Sequence, residues 1–182
     1  MINVSCPLQT PPQSYKTPLH QKVYATLQEL DIPFSRVDCD PAVTMEDCIS
    51  IDRRLNVKTV KTLLLCNRQQ TVFYLFVTPG DKPFRSKNFG AALEVSRVSF
   101  APAEKLGELL GTEMGATTVF SLLLDSAKDV TAVFDSEVFE NEWYGCTDGT
   151  TTGYMKIPTD RLVNDLLPRT GHKYKVISVS GD

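Results

Sequence analysis

Val57-Lys58-Thr59-Val60-Lys61-Thr62-Leu63-Leu64-Leu65-Cys66, Asn67-Arg68-Gln69-Gln70, then Thr71-Val72-Phe73-Tyr74-Leu75-Phe76-Val77: these 21 residues decide the fold class. Two runs rich in β-branched, aromatic and aliphatic side chains flank four polar residues, the pattern of a β-hairpin. The second run is apolar on both faces and is expected at the centre of a sheet. A loop follows at Pro79-Gly80-Asp81-Lys82-Pro83, then short helices over Ser86–Leu93 and Pro102–Leu110, the second stopped by Gly111. Phe120–Leu124 reads as a further apolar strand, Asp125–Lys128 as a turn, and Val130–Phe134 as a strand returning antiparallel. Gly145–Gly153 is a glycine- and threonine-rich loop. A last helix is expected from about Thr159 to Leu167, ended by Pro168, with Tyr174–Val179 as an edge strand.

On the N-terminal side, Leu19, Val23, Leu27 and Leu30 recur at helical spacing after Thr17-Pro18, a cap followed by a first-turn proline. Pro33 ends that helix, and residues 34–39 alternate like a short strand. Thr44-Met45-Glu46-Asp47 reads as a helix start, with Thr44 as cap and two acids near the positive end. Four prolines make residues 1–18 an arm, and 19–182 a single domain. Strands and helices mix without regular βαβ alternation, so the class is α+β (mixed α/β).

Composition narrows the function classes. The chain has 182 residues, 42% hydrophobic and 23% charged, an ordinary globular mix. Nineteen basic against 22 acidic residues give a net charge of −3, which excludes non-specific duplex binding through a basic surface, though not a grip on one or two terminal phosphates. Five cysteines without a CxxC pair point away from a disulfide framework or a zinc site, and towards a reducing compartment. No run has the length of a membrane helix, and the first residues lack the features of a signal peptide. With only His20 and His172, chemistry needing a histidine cluster is excluded, and no nucleophile elbow, Walker loop or dinucleotide fingerprint occurs.

Three places can carry chemistry. Lys61 stands at the start of an apolar strand, where its ammonium is costly to desolvate unless it meets an anion. It either holds a phosphate or carboxylate of a ligand or snorkels to water, with Lys58 a competitor for the role. Gly111–Val119 joins a helix to an apolar run. Its glycines permit backbone conformations that aim amides and carbonyls into a cavity, or the loop is an ordinary connection. The hydroxyls of Thr147–Thr152 either line a polar pocket or form a solvent loop.

Read together and in order, these segments resemble the prolyl-tRNA editing family, the YbaK/ProX-type deacylases also found as an insertion domain of prolyl-tRNA synthetases. Leu30-Asp31-Ile32-Pro33-Phe34 is similar to its L-G-I-P-Y, Asp40-Pro41-Ala42-Val43-Thr44 to H-P-P-V-x-T, and Lys61-Thr62-Leu63-Leu64-Leu65 to K-N-L-F-L. Pro79-Gly80-Asp81-Lys82 and Lys87 fit P-G-D-K/R…K, and Gly115-Ala116-Thr117-Thr118-Val119-Phe120 falls on G-x-x-x-P-F. Thr147-Asp148-Gly149-Thr150-Thr151-Thr152 falls on H-P-x-x-N-T, and Lys156-Ile157 with Leu167–His172 on the closing K-I…L-P-x-x-G-H. The likeness spans about Leu19 to Val179.

The resemblance implies a strongly bent mixed, mainly antiparallel sheet flanked by helices. It implies hydrolysis, acting in trans, of the ester between a wrong amino acid and the terminal ribose of tRNA, most similar to the type that removes alanine from proline tRNA. A small pocket excludes the cognate residue. The resemblance makes Lys61 and Gly115 the catalytic residues: Lys61 anchors the phosphate near the terminal adenosine, and the Gly115 loop holds the amino acid and water through backbone groups. Thr62, Lys82, Ala116, Thr117, Thr118, Val119, Thr147, Thr151 and Thr152 become substrate-binding residues. The substrate's own ribose hydroxyl assists the attack, so positioning replaces a side-chain nucleophile. No cofactor, metal or membrane is implied. The expected partners are the 3′ acceptor end of a mischarged tRNA and prolyl-tRNA synthetase, with the protein a cytoplasmic monomer or weak homodimer. The chain departs from the pattern at Thr62 (asparagine in the family), Val119 (proline), Thr147 (histidine) and Thr151 (asparagine). Those departures motivate a second reading, a non-catalytic module binding an aminoacyl-tRNA end, a nucleotide or a protein. A small-molecule hydrolase on the same fold is a third.

Overall fold

The computed structural model describes residues 1–182. Thr17 caps the first helix by accepting from the His20 amide at 3.0 Å, and Pro18 opens α1 (Pro18–Glu29). After β1 (Ser35–Asp38), Thr44 and Asp47 cap each other's amides at 3.1 and 3.2 Å, a reciprocal box that launches α2 (Cys48–Leu55). The central hairpin forms as read: β2 (Val60–Cys66) and β3 (Phe73–Pro79) pair antiparallel, with Lys61 opposite Thr78 and Leu64 opposite Leu75. Then come α3 (Ser86–Leu93), the short β4 (Ser99–Phe100) and α4 (Ala103–Leu110), which Gly111 ends at φ +62°.

The next stretch departs from the sequence reading. Phe120–Leu124 is not a strand; Val119–Leu123 is a 3-10 helix, capped by the Thr118 hydroxyl. Four of its five residues are buried, and an apolar run enclosed on all sides carries no period to tell helix from strand. After β5 (Thr131–Asp135) and a 3-10 turn over Ser136–Glu140, β6 (Trp143–Thr147) and β7 (Gly153–Pro158) form a hairpin. The expected loop Gly145–Gly153 therefore shrinks to residues 148–152, its flanks being strand. The closing helix also runs past Pro168. It comprises α5 (Thr159–Arg161), a π turn (Leu162–Leu166) and α6 (Leu167–Thr170), ending at Gly171. The Leu167 amide reaches back five residues to the Leu162 carbonyl. This wider turn lies just where the ring of Pro168 would otherwise crowd the carbonyl four residues earlier. β8 (Tyr174–Ile177) follows.

Two sheets result. One is antiparallel, in the order β1-β7-β6; the other is mixed, in the order β4-β2-β3-β5-β8. As expected, β3 is central and β8 an edge. β5, however, pairs parallel with β3 and with β8, because the chain crosses over through α3 and α4 before returning. A parallel bridge between Thr59 and Gly145 joins the sheets. A Cβ on Gly145 would sit 2.8 Å from Val57 Cγ1, so the junction requires glycine. The arm extends the smaller sheet at β1 through bridges Val4–Cys39 and Leu8–Arg36. The largest core cluster packs α1, the Val119–Leu123 turn and the closing helix against both sheets, with Tyr24, Phe120, Phe134 and Tyr144 essentially fully buried. Each large apolar side chain so buried contributes about 1.5–3 kcal/mol.

Candidate active site

A cavity of about 350 Å³ opens where the two sheets meet. Val60 to Leu64 of β2 line it consecutively, joined by residues 43–45 ahead of α2, by Met114, Gly115 and Thr117, and by Cys146, Thr147 and Tyr154 of the smaller sheet. Lys61 is its only charged lining residue. The Lys61 ammonium is half-buried, forms no ion pair, and donates to the Lys82 carbonyl at 2.5 Å. Burial pushes its pKa below the usual lysine range, against the opposing charge of Asp81. A half-desolvated cation whose partner is one neutral oxygen remains able to take an anion.

The Gly115 loop meets the same cavity. Gly115 has φ +88°, and a Cβ there would lie 3.0 Å from Val43 Cα, so both its conformation and its neighbour demand glycine. The amides of Gly115 and Thr117 donate to no group of the chain, whereas Ala116 donates to the Glu113 carbonyl at 3.0 Å. Two residues with unpartnered amides thus line the same cavity as Lys61. Ala116, Thr118 and Val119 do not line it; they are buried in the core or cap the 3-10 helix.

Thr147 reaches the cavity, but its hydroxyl is engaged by the Thr150 carbonyl and the Gly149 amide. The loop beneath it is built on Asp148, which is 2% exposed. One carboxylate oxygen accepts from Tyr24 at 2.7 Å and lies 3.0 Å from His20 Nε2. The other accepts from the Thr150 hydroxyl at 2.7 Å and the Thr150 amide at 3.2 Å. The Lys16 amide donates to His20 Nδ1 at 3.1 Å, leaving the Nε2 proton to face Asp148. Burial opposes ionisation, but the bonds from His20, Tyr24 and Thr150 prevail and hold the carboxyl below its usual range. A Cβ on Gly153 would lie 2.2 Å from this carboxylate, so glycine is required where β7 starts.

Of the residues expected at the site, the cavity brings together Lys61, Thr62, Gly115, Thr117 and Thr147. Thr151 and Thr152 lie instead on a neighbouring polar cleft, tied through their carbonyls to the Ala42 and Cys39 amides and, for Thr152, through its hydroxyl to Lys16. The Lys82 ammonium is not on the cavity; it pairs with Asp135 at 2.7 Å and Glu137 at 2.8 Å. Sequence reasoning passed over Phe100 and Met114, which line the cavity while remaining 63% and 66% exposed, and the His20–Tyr24–Asp148 network. Only the repeated threonines around Asp148 hinted at a polar centre. Neither histidine is hydrogen-bonded to a cysteine, since His172 bonds the Ala127 and Thr170 carbonyls. The cavity thiols are poorly ionised: burial pushes Cys48 up to about 11 and raises Cys146 further. The site can therefore bind an anion, polarise a carbonyl through backbone amides and hold water, but offers no activated nucleophile.

Residues 39–164 match the aminoacyl-tRNA editing domain. The chain belongs to that family. Membership carries the activity class, hydrolysis of the ester that joins a wrongly attached amino acid to tRNA. The prolyl-tRNA editing protein ProX of Acetoanaerobium sticklandii is 30% identical over 118 residues, covering 65% of this chain and 72% of that protein. Two crystal structures share the fold. One, a proposed trans-editing enzyme for prolyl tRNA synthetase, has a TM-score of 0.64 at 15% identity, over 90% of this chain and 98% of its own. The other, the hypothetical protein APE2540, has a TM-score of 0.64 at 19% identity, over 86% of this chain and 98% of its own. The family and the α+β class inferred from the sequence both stand. No helix is long and apolar enough to cross a membrane.

Proposed function

We propose that this chain is a cytoplasmic trans-editing hydrolase that removes a small amino acid, alanine foremost, from mischarged proline tRNA, working beside prolyl-tRNA synthetase. The observation carrying this reading is the unpaired Lys61 ammonium beside the free amides of Gly115 and Thr117 in one cavity. Lys61 takes a phosphate of the terminal nucleotide, and the amides take the ester carbonyl oxygen, whose negative charge grows as water adds. The water oxygen bonds the carbonyl carbon, the carbon–ribose oxygen bond breaks, and a proton passes to the departing ribose oxygen. The neighbouring ribose hydroxyl helps to place the water, which suits a site whose thiols are held protonated. Exposed Phe100 and Met114 give the terminal base an apolar surface.

The test is a deacylation panel of alanine-, serine- and cysteine-charged proline tRNA with wild type and Lys61→Ala. Release of alanine by wild type, lost in Lys61→Ala, supports the reading; charged tRNAs left intact by wild type sink it. The committed hydroxyl of Thr147 favours one other outcome, a binding-only relative, which tRNA retention on a filter without turnover would select.

A further inference from the structure

Lys82 is engaged on every side, and its backbone faces the cavity lysine. Its ammonium bonds Asp135 at 2.7 Å, Glu137 at 2.8 Å and the Val179 carbonyl at 2.8 Å. Asp135 is fully buried and also accepts from the Thr78 hydroxyl at 2.9 Å and from the Glu137 amide at 3.2 Å. Burial would lower the pKa of Lys82, but its bonds to Asp135 and Glu137 outweigh this and raise it. The turn carrying Lys82 is fixed at a second point: a Cβ on Gly80 would lie 2.3 Å from the Thr59 carbonyl and 2.5 Å from Met45 Cε, and both of those residues line the cavity. Between these two anchors, the Lys82 carbonyl accepts the Lys61 ammonium at 2.5 Å. Lys61 has no other partner to fix its four side-chain torsions.

We propose that Lys82 is a positioning residue: its buried ion pair with Asp135 locks the Pro79–Pro83 turn so that the Lys82 carbonyl aims the Lys61 ammonium into the cavity. This rests on Lys61 being the anion-holding group. Unlocking the turn returns torsional freedom to Lys61 and weakens ground-state and transition-state binding alike, so KM rises while kcat holds.

The experiment compares wild type, Lys82→Arg, Lys82→Met and the double variant Lys82→Met with Asp135→Asn, which removes both charges and leaves no orphaned carboxylate. Deacylation of alanyl proline tRNA is followed with reductive methylation of Lys61, scored against exposed Lys58 in the same sample. The expected results are a KM about tenfold higher in the double variant with kcat within about twofold, recovery to within about threefold in Lys82→Arg, and faster labelling of Lys61 once Lys82 is gone. A double variant that melts like wild type with unchanged KM overturns the proposal. So does a Lys61 that labels no faster, relative to Lys58, in a folded Lys82→Met or double variant than in wild type, with the folded Lys82→Arg as the control for retained positioning. Lys61→Ala separates the two levels: full activity in that variant removes the reading of Lys61, whereas its loss together with a silent Lys82→Met removes only the role of Lys82.

Discussion

Replacing Asp148 by asparagine tests whether one buried carboxylate holds the loop behind the cavity. Asp148 accepts from four donors: His20, Tyr24 and both the amide and hydroxyl of Thr150. Asparagine keeps one acceptor oxygen and presents a donor where the other stood. Whichever way the amide turns, two donors lose their acceptor and face an N–H. Bonds to a charged group contribute about 1.5–3 kcal/mol each, so the loss of two is about 3–6 kcal/mol. For a chain of this length a destabilisation of 1 kcal/mol lowers Tm by roughly 2–4 °C, which places the shift at roughly 6–24 °C. Circular-dichroism melts and urea titrations of Asp148→Asn, Tyr24→Phe and the double variant measure it. Because Tyr24 and Asp148 share a bond, the cycle shows coupling of about 1 kcal/mol or more. A shift below about 2 °C, or strictly additive single variants, refutes the account, because the carboxylate would then carry no more than a surface group does.

Acid gives a matching result. The Asp148 carboxyl is depressed in the fold, so its contribution is complete above the ordinary carboxylate range near 3.9 and is lost as pH falls through the lower folded value. The Tm gap between wild type and Asp148→Asn should close over that acid window and stay constant above it, as melts from pH 7 downwards will show. Phe100→Ala should raise KM for alanyl proline tRNA about tenfold and leave Tm within about 2 °C, because the ring is 63% exposed and one base stack contributes about 1–3 kcal/mol. Gly80→Ala should destabilise by about 2 kcal/mol or more in denaturant titration, since the new Cβ meets backbone at Thr59 and not only the yielding end of Met45. With one lysine on the cavity, log KM should rise with log salt at a slope of about 0.7, and a slope of several units would place further cations under the tRNA.

How much of this was legible depended on how far apart the interacting residues lie. The hairpin over residues 57–77 reads directly, because strand period and turn chemistry act within a few residues. Lys61 stood out for the same reason, as a charge set into an apolar run. The direction of β5 could not be read: parallel pairing with β3 is fixed by the crossover through α3 and α4. Val119–Leu123 gave no periodic signal because four of its five residues are buried, leaving no exposed face to mark a period. The resemblance places Lys82 among the substrate-binding residues, and the sequence could not show its engagement, since its carboxylates lie 53 and 55 residues further on. Asp148 finds Tyr24 and His20 at 124 and 128 residues' distance, and only the fold discloses that a histidine on the first helix supports a loop near the end.

These ionic features share one logic. Buried charges away from the cavity are matched locally, Lys82 by Asp135 and Glu137, and Asp148 by His20, Tyr24 and Thr150. Each matched charge holds a segment next to cavity-lining residues, the Pro79–Pro83 turn packed on Thr59 and Met45 in one case and residues 148–152 following Thr147 in the other. Lys61, the one charged residue on the cavity, is left without a counter-charge, and the Gly115 loop lines the same recess. A net charge of −3 leaves the chain no overall basic excess with which to hold a duplex. On the proposed reading of Lys61, a cation set in a recess favours a chain end that can enter over a duplex that cannot, and selectivity for a terminal nucleotide would then follow from its placement before any base is read.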